Sequence, residues 1–325
     1  MKEDALVIVK SIAIDLAGGC SFGKERGYIS YPDGFFGCYP NHIFFTWGSK
    51  SAKNYILSKN INKNVLISGF PYDLLSTYKS NNLIKEELVS NGAKFIVLLL
   101  DNSHTMNKAL YQSVYTPVMN QFYEEFLKWV LSDSDLGLII KPKKPITLKT
   151  LPDIENLLEK ALNTGRCYNV PDPFRTQPAV FASISNFVVA TGMFFSSALI
   201  ETVLNGVRGA FYDYPNLRSS DPYLYEWGGG NVIFDDLDQM MVALKRYKND
   251  PIGNSSIGDW SAHLDEIDPF RDGSGSKRIG TYIRWLKAGF DEGLDREAVI
   301  SMANRRYADA WGEDKIYPRK DLEAK

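Results

Sequence analysis

Histidine and cysteine are both scarce in this chain of 325 residues, with three of each. Cys20, Cys38 and Cys167 are odd in number and far apart, which fits neither a disulfide framework nor a zinc site and suits a reducing compartment. Imidazole chemistry is confined to His42, His104 and His263. No Asp-x-Asp pair ends an apolar strand, so no Mg²⁺ or Mn²⁺ site is expected, and nothing calls for another cofactor. Asp235-Asp236 comes closest, but it stands at a helix start, where capping explains it better. Excess charge is also missing: the net value of -2 argues against an extended nucleic-acid-binding surface. No apolar run approaches the ~20 residues that cross a bilayer, and Met1-Lys-Glu-Asp-Ala-Leu6 lacks a signal-peptide layout. A cytoplasmic protein is expected, with peripheral contact at the inner face of the membrane left open. Internal repeats and low-complexity tracts are absent.

What is present is apolar residues at 44%, enough to build real cores in a chain long enough for two domains. Residues 1–90 hold three strand-like runs, Leu6–Ile14, His42–Thr46 and Val65–Ser68, and a helix over Ser51–Ser58. Between the first two runs lies a loop rich in Gly, Tyr and Pro, from Gly18 to Pro40. This section is small for a complete α/β layer. Lys94–Leu100 is a continuous apolar run of the kind found in buried parallel strands. Helix Pro117–Leu131, strand Leu136–Ile140 and helix Asp153–Ala161 follow, then strand Phe187–Ala190, strand Val232–Phe234 and helix Asp236–Tyr247. Alternating strands and helices imply a mostly parallel, doubly wound sheet. The expected division is 1–90, 91–290 and a final section 291–325, whose helix near Arg296–Trp311 crosses back onto the first unit.

The segment Asn186 to Tyr214 carries the most information. It reads as a buried strand, a turn at Thr191-Gly192, a helix opening at Ser196-Ser197 and a second strand reaching Asp213. Ligands of open α/β sheets sit beyond the carboxyl ends of strands, and a helix N-terminus there offers N–H groups and a positive dipole end to phosphate. Glu201, about one turn on, is placed to accept from a ribose diol. The competing reading makes Ser196 a simple cap and Glu201 a solvated residue. The turn Lys141-Pro-Lys-Lys-Pro145 puts Lys141, Lys143 and Lys144 after a strand, as positioned or merely solvated cations. Lys277 and Arg278 occupy the first turn of a late helix, where the dipole disfavours cations unless an anion compensates.

The order of these parts resembles bacterial surface and capsular polysaccharide glycosyltransferases of the GT-B type, and their relatives the CDP-glycerol glycerophosphotransferases and polysialyltransferases. Phe45-Thr-Trp-Gly48 with Val65-Leu-Ile-Ser-Gly-Phe-Pro71, the basic turn at 141–145, Thr191 to Glu201 with Phe211-Tyr-Asp213, and Asp268-Pro-Phe-Arg-Asp-Gly273 with Arg278 carry the likeness. It implies two Rossmann-like α/β units, the amino-terminal one short or incomplete. It also implies a metal-independent transfer from a nucleotide-sugar donor to a glycan or glycolipid acceptor. Thr191, Gly192, Ser196, Ser197, Glu201, Lys141, Lys143, Lys144, Arg271 and Arg278 would hold the donor.

The chain departs from the family where relatives carry Gln/Trp-His-Gly and Lys-x-His-Pro elements. Asp15-Leu-Ala-Gly-Gly19 stands at the first place, and Lys143-Lys144 at the second. A general base must then come from elsewhere: Asp15 and His104 lead, ahead of Glu25 and Asp33. An unperturbed Asp, pKa near 3.9, is a poor base unless burial raises it. Two alternatives remain, a CDP-glycerol-type glycerophosphotransferase and a non-catalytic nucleotide- or partner-binding module.

Overall fold

The computed structural model describes residues 2–28, 40–58, 64–72, 82–107, 114–173, 176–192, 196–213, 225, 226 and 228–318. In chain order the strands are β1 (Phe22–Lys24), β2 (Ile43–Thr46), β3 (Asn64–Ile67), β4 (Phe95–Leu100), β5 (His104–Thr105), β6 (Val114–Tyr115) and β7 (Leu136–Lys141). β8 (Cys167–Asn169), β9 (Phe187–Gly192), β10 (Arg208–Asp213), β11 (Ile233–Phe234) and β12 (Ile316–Pro318) complete them. They fall into two compact units, Met1–Asp73 with His263–Lys325, and Leu74–Ala262.

The first unit has a sheet ordered β1-β2-β3-β12, parallel except for β12, which runs antiparallel to β3. Side chains alternate across it, as the two-residue period of a strand requires. Ile43, Phe45 and Leu66 pack with Tyr282, Val299 and Tyr307 of the helices Gly275–Asp291 and Arg296–Trp311. Phe44, Val65 and Ile67 pack on the other side with Ala52 and Tyr55 of the helix Ser49–Leu57. Two sheet faces covered by helices make an α/β layer, so the short amino-terminal section is completed by the far end of the chain. The boundary expected at 290/291 accordingly differs from the observed one, because the Gly275–Asp291 helix belongs to this core.

The run Leu6–Ile14, expected as a strand, lies within a helix, Lys2–Leu16. Its β-branched residues favour a strand, but Ile8, Val9, Ile12 and Ile14 lie exposed on a helix whose last turn is anchored by Asp15 to His42 and Arg296. Gly18, at φ +73°, stops the helix, and Gly19 N–H donates back to Ile14 O at 2.9 Å. The Gly18–Pro40 loop contains the short strand β1. Of the aromatic stretch Tyr28–Tyr39, only Tyr28 lies inside the described residues; Asp33 and Cys38 lie outside them.

The second unit has a six-stranded sheet, all parallel, ordered β11-β10-β9-β4-β7-β8. The chain runs outward from β4 through β7 to β8, then returns to β9 and runs the other way. Strand order therefore reverses between β4 and β9, and a crevice outside the carboxyl ends there is where such sheets take ligands. The core joins Phe95, Val97 and Leu99 to Phe122, Phe126 and Trp129 of the helix Thr116–Ser132 and to Met240 and Leu244 of the helix Leu237–Asn249. Asp236 caps the last of these, its Oδ1 accepting from Gln239 N–H at 2.8 Å. No helix among the described residues is long and apolar enough to cross a membrane.

Candidate functional site

The carboxyl edge of the six-stranded sheet gathers ionisable groups that sequence separates. Asp101 follows β4, Lys141 ends β7, and Glu201 lies in the helix Ser197–Leu204 that follows β9. Lys141 is buried, and its Nζ donates to Pro173 O at 3.0 Å. Desolvation holds the Lys141 pKa below the usual lysine value, while the Glu201 and Asp101 carboxylates pull it back up. The Glu201 Oε1 accepts from Ala179 N–H at 3.2 Å. Desolvation pushes the Glu201 carboxyl up to about 7, opposed by that N–H and by Lys141. Glu201 is thus half-buried beside a cation and is not a solvated helix residue.

Asp101 is pushed up to about 7 by the same cause. Its Oδ2 accepts the Tyr123 hydroxyl at 2.7 Å, and its Oδ1 accepts the Lys143 backbone N–H. Lys143 Nζ donates to Asn102 Oδ1 at 2.6 Å. Asp101 and Asn102 therefore grip the basic turn from the adjacent strand end. Sequence reasoning passed over Asp101, although a carboxylate directly after an apolar parallel strand was the available signal.

Ser196 caps the Ser197–Leu204 helix, its Oγ accepting from Leu199 N–H at 3.3 Å, and Ser197 is the first helical residue. Thr191 ties β9 to β10 by donating to Tyr212 O at 3.1 Å, and Gly192 ends β9. A helix start, hydroxyls, a buried cation and a carboxylate thus share one sheet edge. That set can accept hydrogen bonds from a diol and supply donors to an anion.

Arg271 and Arg278 belong to the first unit. Arg278 is buried, donates to Ser68 O at 3.1 Å, pairs with Asp272 through both terminal nitrogens, and stacks 3.5 Å from the Phe270 ring centre. The anion expected to compensate the cations of this helix start is therefore the chain's own Asp272. Arg271, with a left-handed φ of 48°, pairs with Asp265 at 2.6 Å. Asp268 holds the loop: it accepts from Phe70 N–H at 3.0 Å, Phe270 N–H at 2.9 Å and Arg271 N–H at 3.1 Å. The Gly69-Phe70 segment and the Asp268–Gly273 loop, both singled out in sequence, are thus one structural assembly at the carboxyl end of β3.

The base candidates have different fates. Asp15 sits at the amino ends of the parallel strands, opposite to the edge where ligands collect. His42 and Arg296 bond its carboxylate and hold its pKa below the ordinary value, the wrong direction for a base at neutral pH. Glu25 is buried and occupied by Trp47 N–H at 2.7 Å and the Ser51 hydroxyl at 2.8 Å. His104 lies at the carboxyl side of β4, with Nδ1 3.0 Å from the Thr116 hydroxyl and Nε2 3.0 Å from the Thr150 hydroxyl and 3.3 Å from Thr147 O. Carbonyl oxygens only accept, so Nε2 is the nitrogen that donates to Thr147 O.

The architecture is an α/β fold of the GT-B type. Among solved structures it is similar to S. aureus MnaA, determined with UDP: 16% identity, TM-score 0.54, 86% of this chain and 72% of that one. It is also similar to Anabaena HepE with UDP-glucose, at 11% identity and TM-score 0.52, over 86% and 76% of the two chains. HepE with UDP and glucose gives TM-score 0.53 at 11% identity over the same shares. No family model matches the sequence, and no curated protein does.

Proposed function

We propose that the protein is a metal-independent glycosyltransferase of bacterial surface-polysaccharide assembly, using a nucleotide-sugar donor and a glycan or glycolipid acceptor. The observation that carries this reading is the placement of the buried Lys141 at the end of β7 and of the half-buried Glu201 in the Ser197–Leu204 helix after β9, both at the carboxyl edge of the six-stranded sheet and within electrostatic reach of each other. In the reading, the helix start and Ser197 take the diphosphate, Glu201 accepts from the ribose hydroxyls, and Lys141 neutralises charge developing on the departing phosphate. The ligands of the similar structures, UDP in MnaA and UDP-glucose in HepE, agree with a uridine nucleotide. His104 is the base of choice, since its Nδ1 lies against the Thr116 hydroxyl, which a substrate hydroxyl can displace.

Thermal shift against UDP, CMP, CDP and GDP tests the donor class, because a ligand that binds only the folded state raises apparent stability by mass action. Nucleotide release from the responding donor, with and without crude bacterial glycolipid, tests transfer. No response to any nucleotide would remove the reading. Tight binding without release would favour a non-catalytic nucleotide-binding module, for which the occupied state of Asp15 and Glu25 already speaks.

A further inference from the structure

The second unit also holds a cleft of about 580 Å³, lined by His104, Thr150, Asn120, Asp153, Lys144 and Met106 among others. Its size lies within the roughly 300–1,000 Å³ of small-molecule sites. The amide of Asn120 decides what chemistry it suits. Asn120 Nδ2 donates to Asp153 Oδ2 at 2.5 Å, and only the NH₂ end of an amide can face a carboxylate. Asn120 Oδ1 is therefore fixed in direction as well, and it is buried with no hydrogen-bond partner. A buried acceptor left unpaired is costly, so a ligand that donates to it is favoured.

The rest of the lining agrees. Asp153 Oδ1 adds a second acceptor close by, Lys144 brings one cation, and the Thr150 hydroxyl, which donates to Thr147 O at 2.8 Å, is left to accept. Met106 and Ile146 contribute an apolar surface. A phosphate offers Asn120 at most one or two P–OH donors and meets the negative charge of Asp153. A sugar ring or polyol donates and accepts through each hydroxyl and lays its C–H face on apolar carbon.

We infer that this cleft binds a neutral, hydroxyl-rich ligand, a sugar ring or polyol, next to His104 and on residues other than the Lys141 and Ser197 of the nucleotide site. Lys144 then serves this cleft and not the donor phosphates. The inference does not depend on the nucleotide reading.

The test uses the full chain and ligand-detected NMR. Glucose, N-acetylglucosamine and glycerol are titrated with inorganic phosphate as the contrasting probe, and UDP is titrated in parallel so that the nucleotide reading is scored by itself. Saturable binding of at least one neutral compound is expected, undisturbed by phosphate. Asp153→Ala and Asn120→Leu should each weaken it about tenfold or more and leave UDP affinity unchanged. Asp153 is exposed, so its variant keeps the experiment decisive even if Asn120→Leu does not fold. Saturating UDP-glucose should leave bound glucose in place, and displacement would overturn the distinction between the two sites. Absence of saturable neutral binding, phosphate binding more tightly than every neutral probe, or indifference to Asp153→Ala would overturn the inference.

Discussion

His42 Nε2 lies 3.0 Å from Asp15 Oδ1, and Arg296 donates to the same carboxylate oxygen. The pairing joins the first helix to the amino ends of β1 and β2, where Ser21 N–H donates to His42 Nδ1 at 3.1 Å. Asp15 is thus a tether. Asp15→Asn should leave nucleotide affinity and any transfer rate unchanged, measured by titration and nucleotide release. Its depressed pKa gives stability that is present above the unfolded value near 3.8 and lost as pH falls through the folded value. The variant should therefore flatten the acid limb of a stability–pH curve. Transfer abolished at neutral pH would return Asp15 to the catalytic list.

Glu201 has the opposite shift and the opposite sign. Its folded pKa of about 7 exceeds the ordinary 4.5, so it binds more protons folded than unfolded between those values. Stability tied to it is full below about 4.5 and is lost as pH rises through about 7. Glu201→Gln should remove that part of the slope, read from urea midpoints at pH 5 and pH 8. Nucleotide affinity should move the other way. A ribose diol donating to Glu201 favours the carboxylate, so affinity should rise through pH 7 in the wild type and stay flat in Glu201→Gln. An equal rise in both proteins would take Glu201 out of the site.

At the helix start, Ser196 and Ser197 separate capping from binding. Ser196→Ala should cost about 1 kcal/mol of stability through the lost cap, with nucleotide affinity reduced only modestly. Ser197→Leu should abolish nucleotide binding while circular dichroism and melting stay near wild type, because bulk at the first helical residue blocks an anion. Unchanged affinity in Ser197→Leu would remove this helix start from the donor site.

Lys141→Met keeps the aliphatic stem buried and deletes the charge. It should weaken UDP binding at least tenfold, with little loss of stability, since a buried cation carries its own desolvation cost. Destabilisation without loss of affinity would make Lys141 a structural partner of Pro173 alone.

Gly48 supplies a purely architectural test. A Cβ there would lie 2.2 Å from Glu266 O and 2.4 Å from Ile267 O, so backbone has to move. Gly48→Ala should cost about 2–4 kcal/mol in chemical unfolding. A neutral result would mean that the segment before Asp268 does not pack on β2 in solution.

Much of the second unit was legible from local pattern. Apolar runs such as Phe95–Leu100 and Leu136–Lys141 are long and bounded, and helix Arg296–Trp311 emerged with its expected limits. β8 and β12 were not, because three-residue strands carry no periodicity. The sequence placed Lys141, Ser196, Ser197 and Glu201 at this sheet edge because Lys141 ends an apolar strand and the other three lie in or just before the helix that follows β9. Asp101 was missed because a lone carboxylate in a polar loop looks solvated until its neighbours are known.

Sequence by itself determined the longer strands and helices of the second unit and the edge at which its polar groups collect. Strand and helix periods are local, and parallel strands all expose their carboxyl ends on one side. Only the tertiary structure decided the makeup of the first unit, since β12 and two late helices reach it across some 200 residues of chain. It alone turned Leu6–Ile14 into helix and Arg278 into a partner of Asp272. The makeup of the first unit rests on pairings such as β12 with β3, far apart in sequence, while the Arg278–Asp272 pair spans only six residues and shows up only once the loop between them is folded.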